Sequence, residues 1–392
     1  VDIQSSGKVL LKGKMGTELL PGTENSYHYE EHEKSGFTAR VGGGSAFVGI
    51  EKKINTQREQ AMTNIGSKIN STKDGVILVG DTVVSIGTKF GAGTPGINVI
   101  TQNGASMIDA QNVKITNSTS QTSRAGFFAN GSFENLSAAA GIEAVYSSNR
   151  NNAIIKTPER NVMVTDGKMN FYAANGDVIL QGDFGAMDDV VTFTPNGKVY
   201  IRDSQTEVIT NAESKNARAT FGVGIDLSGI KDTFKSYKDY LKAVKEIGNI
   251  GRVGKFIRDV VSGKDILESM EGKEDTINAL NTYLKGPNSG GVSAGIGVGI
   301  DIESGKSVTH SIENITTNIR TGGNTILKGK ELDFYGGVLN ADGDVILDSP
   351  KIHIQASKNT YTSNEKGIGV NGKVGTGGYN GSINTSKSDF EG

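Results

Sequence analysis

The chain has 392 residues with 54 glycines, six prolines, no cysteine and no tryptophan, and its 41 basic and 43 acidic side chains leave a net charge of −2. Without cysteine there is no disulfide framework, thiolate metal site or cysteine nucleophile; glycine without a three-residue period, and with so little proline, excludes collagen; and no run approaches the roughly 20 apolar residues of a membrane-spanning helix. Balanced charge without long blocks of either sign argues against a nucleic-acid partner, while Val1, with no basic and apolar leader after it, reads as the start of a piece excised from something longer.

The first feature in chain order is His28-Tyr29-Glu30-Glu31-His32, which fits H-x-x-E-H. On a helix it would set two histidines one turn apart beside a glutamate base. The segment is short and names no third ligand, so a polar stretch leading into a hairpin is the simpler reading. That hairpin runs from Gly36-Phe37-Thr38-Ala39-Arg40-Val41 across the glycine tip Gly42-Gly43-Gly44-Ser45 to Phe47-Val48-Gly49-Ile50.

Further along, Gly104, Gly197 and Gly343 each precede an apolar run, at steps of 197 − 104 = 93 and 343 − 197 = 146. Each run leads to a Ser/Thr/Asn-rich stretch, as at Thr116-Asn117-Ser118-Thr119-Ser120, and then to a glycine-interleaved segment such as Gly126-Phe127-Phe128 or Gly222-Val223-Gly224. These segments, with Gly295-Ile296-Gly297 and Gly367-Ile368-Gly369, lack a full G-x-G-x-x-G or G-K-[ST] and read as strands, not phosphate loops.

A short period underlies the long one. Val178-Ile179-Leu180 recurs at Val199-Tyr200-Ile201, a step of 21; Thr325-Ile326-Leu327 recurs at Val345-Ile346-Leu347, and Leu332 at Ile352, both steps of 20. Short β-branched runs about 20 residues apart, punctuated by Asn-Gly and Gly-Asp turns, predict a parallel β-helix or solenoid in which each strand pairs with its copy in the next coil. Asp188-Asp189 is a carboxylate pair, but neighbours on a strand point to opposite faces, so a turn is the simpler reading. Asn340-Ala341-Asp342-Gly343-Asp344 has calcium-loop residues without the closing glutamate. His353, between Ile352 and Ile354, is placed away from the core, and no catalytic, cofactor or metal residue is assigned.

Between Lys231 and Lys285 the apolar period changes from two to 3.6, with one stripe through Phe234, Tyr237, Leu241, Val244 and Ile247. These 285 − 230 = 55 residues read as a small helical module inserted at a hairpin tip, with Tyr237, Tyr240 and Tyr283 as candidate partner contacts. The expected division is a repeat region over 1–230, the helical module over 231–285, and a continuing repeat over 286–392.

The string Thr321-Gly322-Gly323-Asn324-Thr325-Ile326-Leu327-Lys328-Gly329-Lys330, followed by Gly336-Gly337-Val338-Leu339-Asn340-Ala341-Asp342-Gly343-Asp344-Val345-Ile346-Leu347, resembles the haemagglutinin repeat of filamentous haemagglutinin-type exoproteins. The resemblance implies an all-β, right-handed parallel β-helix, here with hairpin protrusions and the inserted α-helical module. It also implies secretion through an outer-membrane transporter partner to a Gram-negative cell surface, and a stalk that meets a protein or glycan receptor. A stalk for contact-dependent toxin delivery and a β-helix polysaccharide-degrading enzyme are the alternatives; the enzyme requires a carboxylate or arginine cluster that the sequence does not assemble.

Overall fold

A computed structural model describes residues 1–42, 45–132, 137–226, 293–375 and 378–392. Among these residues every regular element is a strand, 25 in all, so the chain is all-β. The expected helical module, 231–285, lies outside the described residues.

The chain winds in coils of three straight sides. Coil 1 is β1 (Asp2–Ser5), β2 (Val9–Gly13) and β3 (Thr17–Leu19), and it leaves through a hairpin of β4 (Gly22–Gly42) and β5 (Ser45–Ile65). Coil 2 is β6 (Lys68–Ser71) and β7 (Val76–Ile86), the latter turning a corner at Gly80–Thr82 so that one strand supplies two sides. Coil 3, β8 (Lys89–Ala92) and β9 (Gly96–Ile108), leaves through the hairpin β10 (Ala110–Ser132) and β11 (Ser137–Glu159). Coil 4 is β12 (Val162–Thr165), β13 (Lys168–Ala173) and β14 (Val178–Leu180). Coil 5, β15 (Asp183–Ala186) and β16 (Val190–Arg202), leaves through β17 (Ser204–Asp226) and β18 (Ser293–Ile315). Coil 6 is β19 (Asn318–Thr321) and β20 (Thr325–Tyr335); coil 7 is β21 (Val338–Ala341), β22 (Val345–Asp348) and β23 (Ile352–Gln355), followed by the hairpin β24 (Thr360–Gly375) and β25 (Gly378–Glu391).

Each side pairs in parallel with the same side of the next coil. The first sides form a seven-stranded sheet in the order β1-β6-β8-β12-β15-β19-β21, and the second and third sides form a ten-stranded one. Coils without a hairpin advance by 89 − 68 = 21, 183 − 162 = 21 and 338 − 318 = 20 residues. The pairs Val178↔Val199, Thr325↔Val345 and Leu332↔Ile352 are therefore real rungs of the ladder, as the 20-residue repeat requires.

Alternation along these strands sends every second side chain inward, where identical positions stack along the axis. One such column on the first side is Ile69, Phe90, Met163, Phe184 and Ile319, all 0–3% exposed. Another, on the second side, is Leu78, Val99, Phe171, Thr192 and Leu327. Each buried aliphatic or aromatic side chain contributes about 1.5–3 kcal/mol, and stacking lets a few residues per coil build one continuous core. Phe171 and Phe184 meet edge to face inside it, with centroids 5.9 Å apart.

The corner between the third side and the next first side decides where hairpins occur. Even coils cross it in two residues, Gly87-Thr88, Gln181-Gly182 and Gly336-Gly337. In each a glycine holds a positive φ, at 58° for Gly87, 144° for Gly182, and 83° and 92° for Gly336 and Gly337, a conformation side chains resist. Odd coils send out a hairpin from the same corner.

The four hairpins do not stand apart as protrusions. They join edge to edge in one eight-stranded antiparallel sheet, β25-β24-β18-β17-β11-β10-β5-β4, and this sheet, more than the parallel ladders, holds most of the chain's strand residues. The geometry explains the spacing. A coil is one strand thick, about 4.8 Å, and a hairpin is two, about 9.6 Å, so one hairpin per two coils lets stack and sheet lengthen at the same rate.

The expected equivalence of Gly104, Gly197 and Gly343 does not hold. Gly343 precedes the second side of its coil, since Val345 pairs with Thr325, whereas Gly104 and Gly197 precede third sides. The equivalent of Val199 in coil 7 is Ile352, so the true long steps are 199 − 105 = 94 and 352 − 199 = 153. Short β-branched runs look alike on any side of the coil, and sequence alone mistook one side for another. The strands on either side of the expected insertion, β17 and β18, each have 23 residues, as do β10 and β11.

Candidate interaction surface: the hairpin sheet

Unbroken registers across all seven strand pairs assign each residue of the sheet to one of two faces. The first face carries hydroxyls, amides and charges. Its rows cross several hairpins, as in Gln57, Ser118 and Asn151, and in Asn55, Ser120, Asn149 and Ser214. Ser120 donates to Asn55 Oδ1 at 2.8 Å and Ser147 to Asn216 Oδ1 at 2.7 Å. Glu30, His32, Asn55, Gln57, Ser118, Ser120, Asn149 and Asn151 line a shallow groove there.

On the same face Glu51, Arg124, Arg218 and Asp301 lie in one row that crosses β11 at Val145, and Glu143 stands two residues along β11 from that row, between the two arginines. Glu143 is only 3% exposed. Arg124 donates to its Oε1 at 3.0 and 2.6 Å and Arg218 to its Oε2 at 2.9 and 2.5 Å, so one carboxylate ties β10, β11 and β17 together. Arg124 also stacks 4.9 Å above the Phe47 ring, and the Glu51 carboxyl is held below its ordinary range, first by its bond to Lys53.

The glycine-interleaved segments are strands, and the structure shows why they need glycine. Where two hairpins abut, glycines face each other: Gly49↔Gly126 at β5/β10, Gly141↔Gly222 at β11/β17, Gly297↔Gly375 at β18/β24. A Cβ on Gly126 would lie 2.3 Å from the Val48 carbonyl oxygen and 2.9 Å from the Phe47 ring, which covers this bare backbone. Phe128 reaches over the second pair in the same way, within 3.1 Å of a Cβ built on Gly222. Aromatic cover of this kind gives glycine-rich strands a defined register.

The opposite face is apolar over the distal half of every hairpin, as in Phe37, Val48, Phe127, Ile142, Phe221 and Val298. Phe37 is 75% and Phe127 69% exposed. Nearer the stack this face turns polar, with Lys156, Glu207 and His310 joined by 2.6 and 2.8 Å contacts that hold the Glu207 carboxyl low.

Two features at the hairpin bases escaped the sequence reading. Asp109 and Asp203 each precede a hairpin; Asp109 Oδ1 accepts the Asn161 N–H at 2.6 Å, and Asp203 Oδ1 the Thr317 N–H at 2.9 Å, where the chain re-enters the stack. Their second oxygens accept the hydroxyls of Ser204 and Ser357, two coils on. Burial raises the Asp109 carboxyl, against the bonds from Ser204 and Asn161 and the Arg160 guanidinium 3.1 Å away. Asn112 and Asn359 likewise accept the N–H groups of Asn64 and Asn314 at 2.6 and 2.8 Å. The signal was present, an Asp before Ala110 and again before Ser204, but it recurs 94 residues apart, too far to stand out.

His28, Glu30 and His32 lie on exposed strand β4, not a helix; Glu30 is 3.2 Å from His28 and 3.8 Å from His32. Asp188 and Asp189 form the turn between β15 and β16, where Asp189 accepts the Asn324 N–H at 2.8 Å, a bond that lowers its carboxyl most. Asp342–Asp344 turn between β21 and β22, with the Asp344 N–H on Asn324 Oδ1 at 2.7 Å. His353 lies beside Asp333 at 3.8 Å on the outward side. Tyr237, Tyr240 and Tyr283 lie outside the described residues. Among the described residues no three metal-binding side chains gather.

Comparison with known families places the C-terminal part of this architecture. Residues 286–390 match the family model described as Hemagglutinin repeat. The chain carries a repeat of filamentous haemagglutinin type. The match spans β18 to β25, one hairpin arm, two coils and the following hairpin. No curated protein and no solved structure matches the chain.

Proposed function

We propose that the chain is a segment of a secreted surface filament, a stalk and adhesin whose contacts are made by the hairpin sheet. The observation that carries this reading is the matched growth of stack and sheet. One corner motif, repeated, lengthens the rod while presenting the same two broad faces along one side, an arrangement suited to extended contact and not to a single catalytic pocket. The first face offers rows of amides and hydroxyls, which hydrogen-bond a protein or glycan receptor without further chemistry. The coil stack fits a right-handed parallel β-helix, the hand that parallel crossovers overwhelmingly adopt. The hemagglutinin repeat supports export through an outer-membrane transporter partner to the Gram-negative cell surface.

The test is surface labelling of cells carrying the full reading frame, with and without the adjoining transporter gene. Labelling that depends on the transporter is expected; retention in the cytoplasm of both strains would reject the reading. A toxin segment downstream with an immunity gene beside it would make the stalk a delivery device.

A further inference from the structure

The apolar face of the hairpin sheet needs a partner, and its own charge pattern names one. Across the boundary between its polar and apolar halves runs the row Glu31, Thr56, Thr119, Arg150, Glu213, Lys306, Lys366, Lys387, one residue from each strand β4 to β25. Lys306, Lys366 and Lys387 stand directly opposite one another on three neighbouring strands. Like charges so placed repel. Lys306 is 3.7 Å from Glu213 and Lys387 2.6 Å from Asp389, contacts that offset part of this repulsion; the row itself ends in three lysines on one side and in Glu31 on the other.

We infer that the apolar face packs against the same face of a second copy, about a two-fold axis parallel to the hairpins. That axis reverses the strand order, setting β4 over β25 and β11 over β17 of the other copy. Glu31 then meets Lys387, Arg150 meets Glu213, and Thr56 and Thr119 meet Lys366 and Lys306; no like charges coincide. The same operation lays Phe127 over Val298 and Ile142 over Phe221. Such a self-complementary match is what an isologous interface requires. The alternative axis, along the coil stack, lays apolar tips on polar bases.

The area suffices. Eight strands at about 4.8 Å and six apolar-half residues at about 3.4 Å give roughly 800 Å² per copy, the share of a standard stable interface. Because the axis reverses stack direction, the paired rods run antiparallel, as stalks from facing cells do; this last step rests on the stalk reading, whereas the pairing does not.

The chain has no cysteine, so single cysteines report cleanly. Glu31→Cys and Lys387→Cys proteins, each full length, are mixed and treated with a bis-maleimide reaching about 10 Å, the spacing of packed sheets. Within one copy the two positions are seven strands apart, about 34 Å. The expected result is a cross-linked mixed dimer at least tenfold above either protein alone, lost when both also carry Phe127→Glu while the coil stack's thermal transition stays unchanged. Equal cross-linking of Glu31→Cys with itself would overturn the two-fold. A monomer at all concentrations, or anionic lipid vesicles captured by the chain without mixed dimer, would overturn the pairing.

Discussion

The coil stack and the hairpin sheet are built at the same strand spacing from the same chain, yet they are held by different forces. The stack has an inside: Ile69, Met163, Phe171, Phe184 and Ile319 are at most 1% exposed, and the hydrophobic effect fixes its register. The sheet is a single layer. Its register comes from backbone ladders, the Glu143 charge bridge and glycine seams under Phe47 and Phe128, while its apolar face remains open. One part can therefore fail without the other.

The sharpest break on the stack side is Phe171→Ala, expected to cost about 3–5 kcal/mol by leaving a cavity beside Phe184 and to lower the main thermal transition. Its counterpart on the sheet is Glu143→Ala, which strands Arg124 and Arg218 and is expected to cost about 3 kcal/mol locally. Amide exchange should rise along β10, β11 and β17 while the core strands keep their protection. A smaller effect of opposite sign is expected at Thr192, whose hydroxyl is buried in the core without a partner: Thr192→Val should stabilise the stack by about 1 kcal/mol, read as a higher denaturant midpoint.

The smallest effect is acid sensitivity. Glu331 sits between Lys198 and Lys351 of the neighbouring coils, at 2.8 and 2.5 Å, and their bonds pull its carboxyl from 4.5 to about 2. Because the folded value lies below the ordinary one, this contribution is complete above about pH 4.5 and lost as pH falls toward 2. The C-terminal coils should loosen over that window, and Glu331→Gln should flatten the dependence, as followed by thermal unfolding across pH.

Much of the stack was legible in the sequence because its register is written locally: Leu332 and Ile352 are 20 residues apart, within one glance of the period. The first hairpin was legible for the same reason, its arms meeting at Gly42 and Ser45. What was not legible depends on partners far apart in the chain. Gly49 meets Gly126 and Arg218 meets Glu143 only after the hairpins assemble, so the glycine-interleaved segments read as strands without showing which strand each would lie against. The misplaced Gly343 has a related cause, since a three-sided coil offers three places for the same turn-and-strand pattern.

One hairpin per two coils is a geometric necessity of this fold. Deleting residues 162–182, the hairpin-free coil 4, joins Asn161 to Asp183 and keeps the parallel ladder in register, since Val162 pairs with Asp183. It leaves hairpins β10/β11 and β17/β18 only one rung, about 4.8 Å, apart where two strands need about 9.6 Å. Amide exchange on this deletion should show the β11/β17 seam losing protection while the core strands on both sides keep theirs; a seam as protected as in the parent chain would contradict the account.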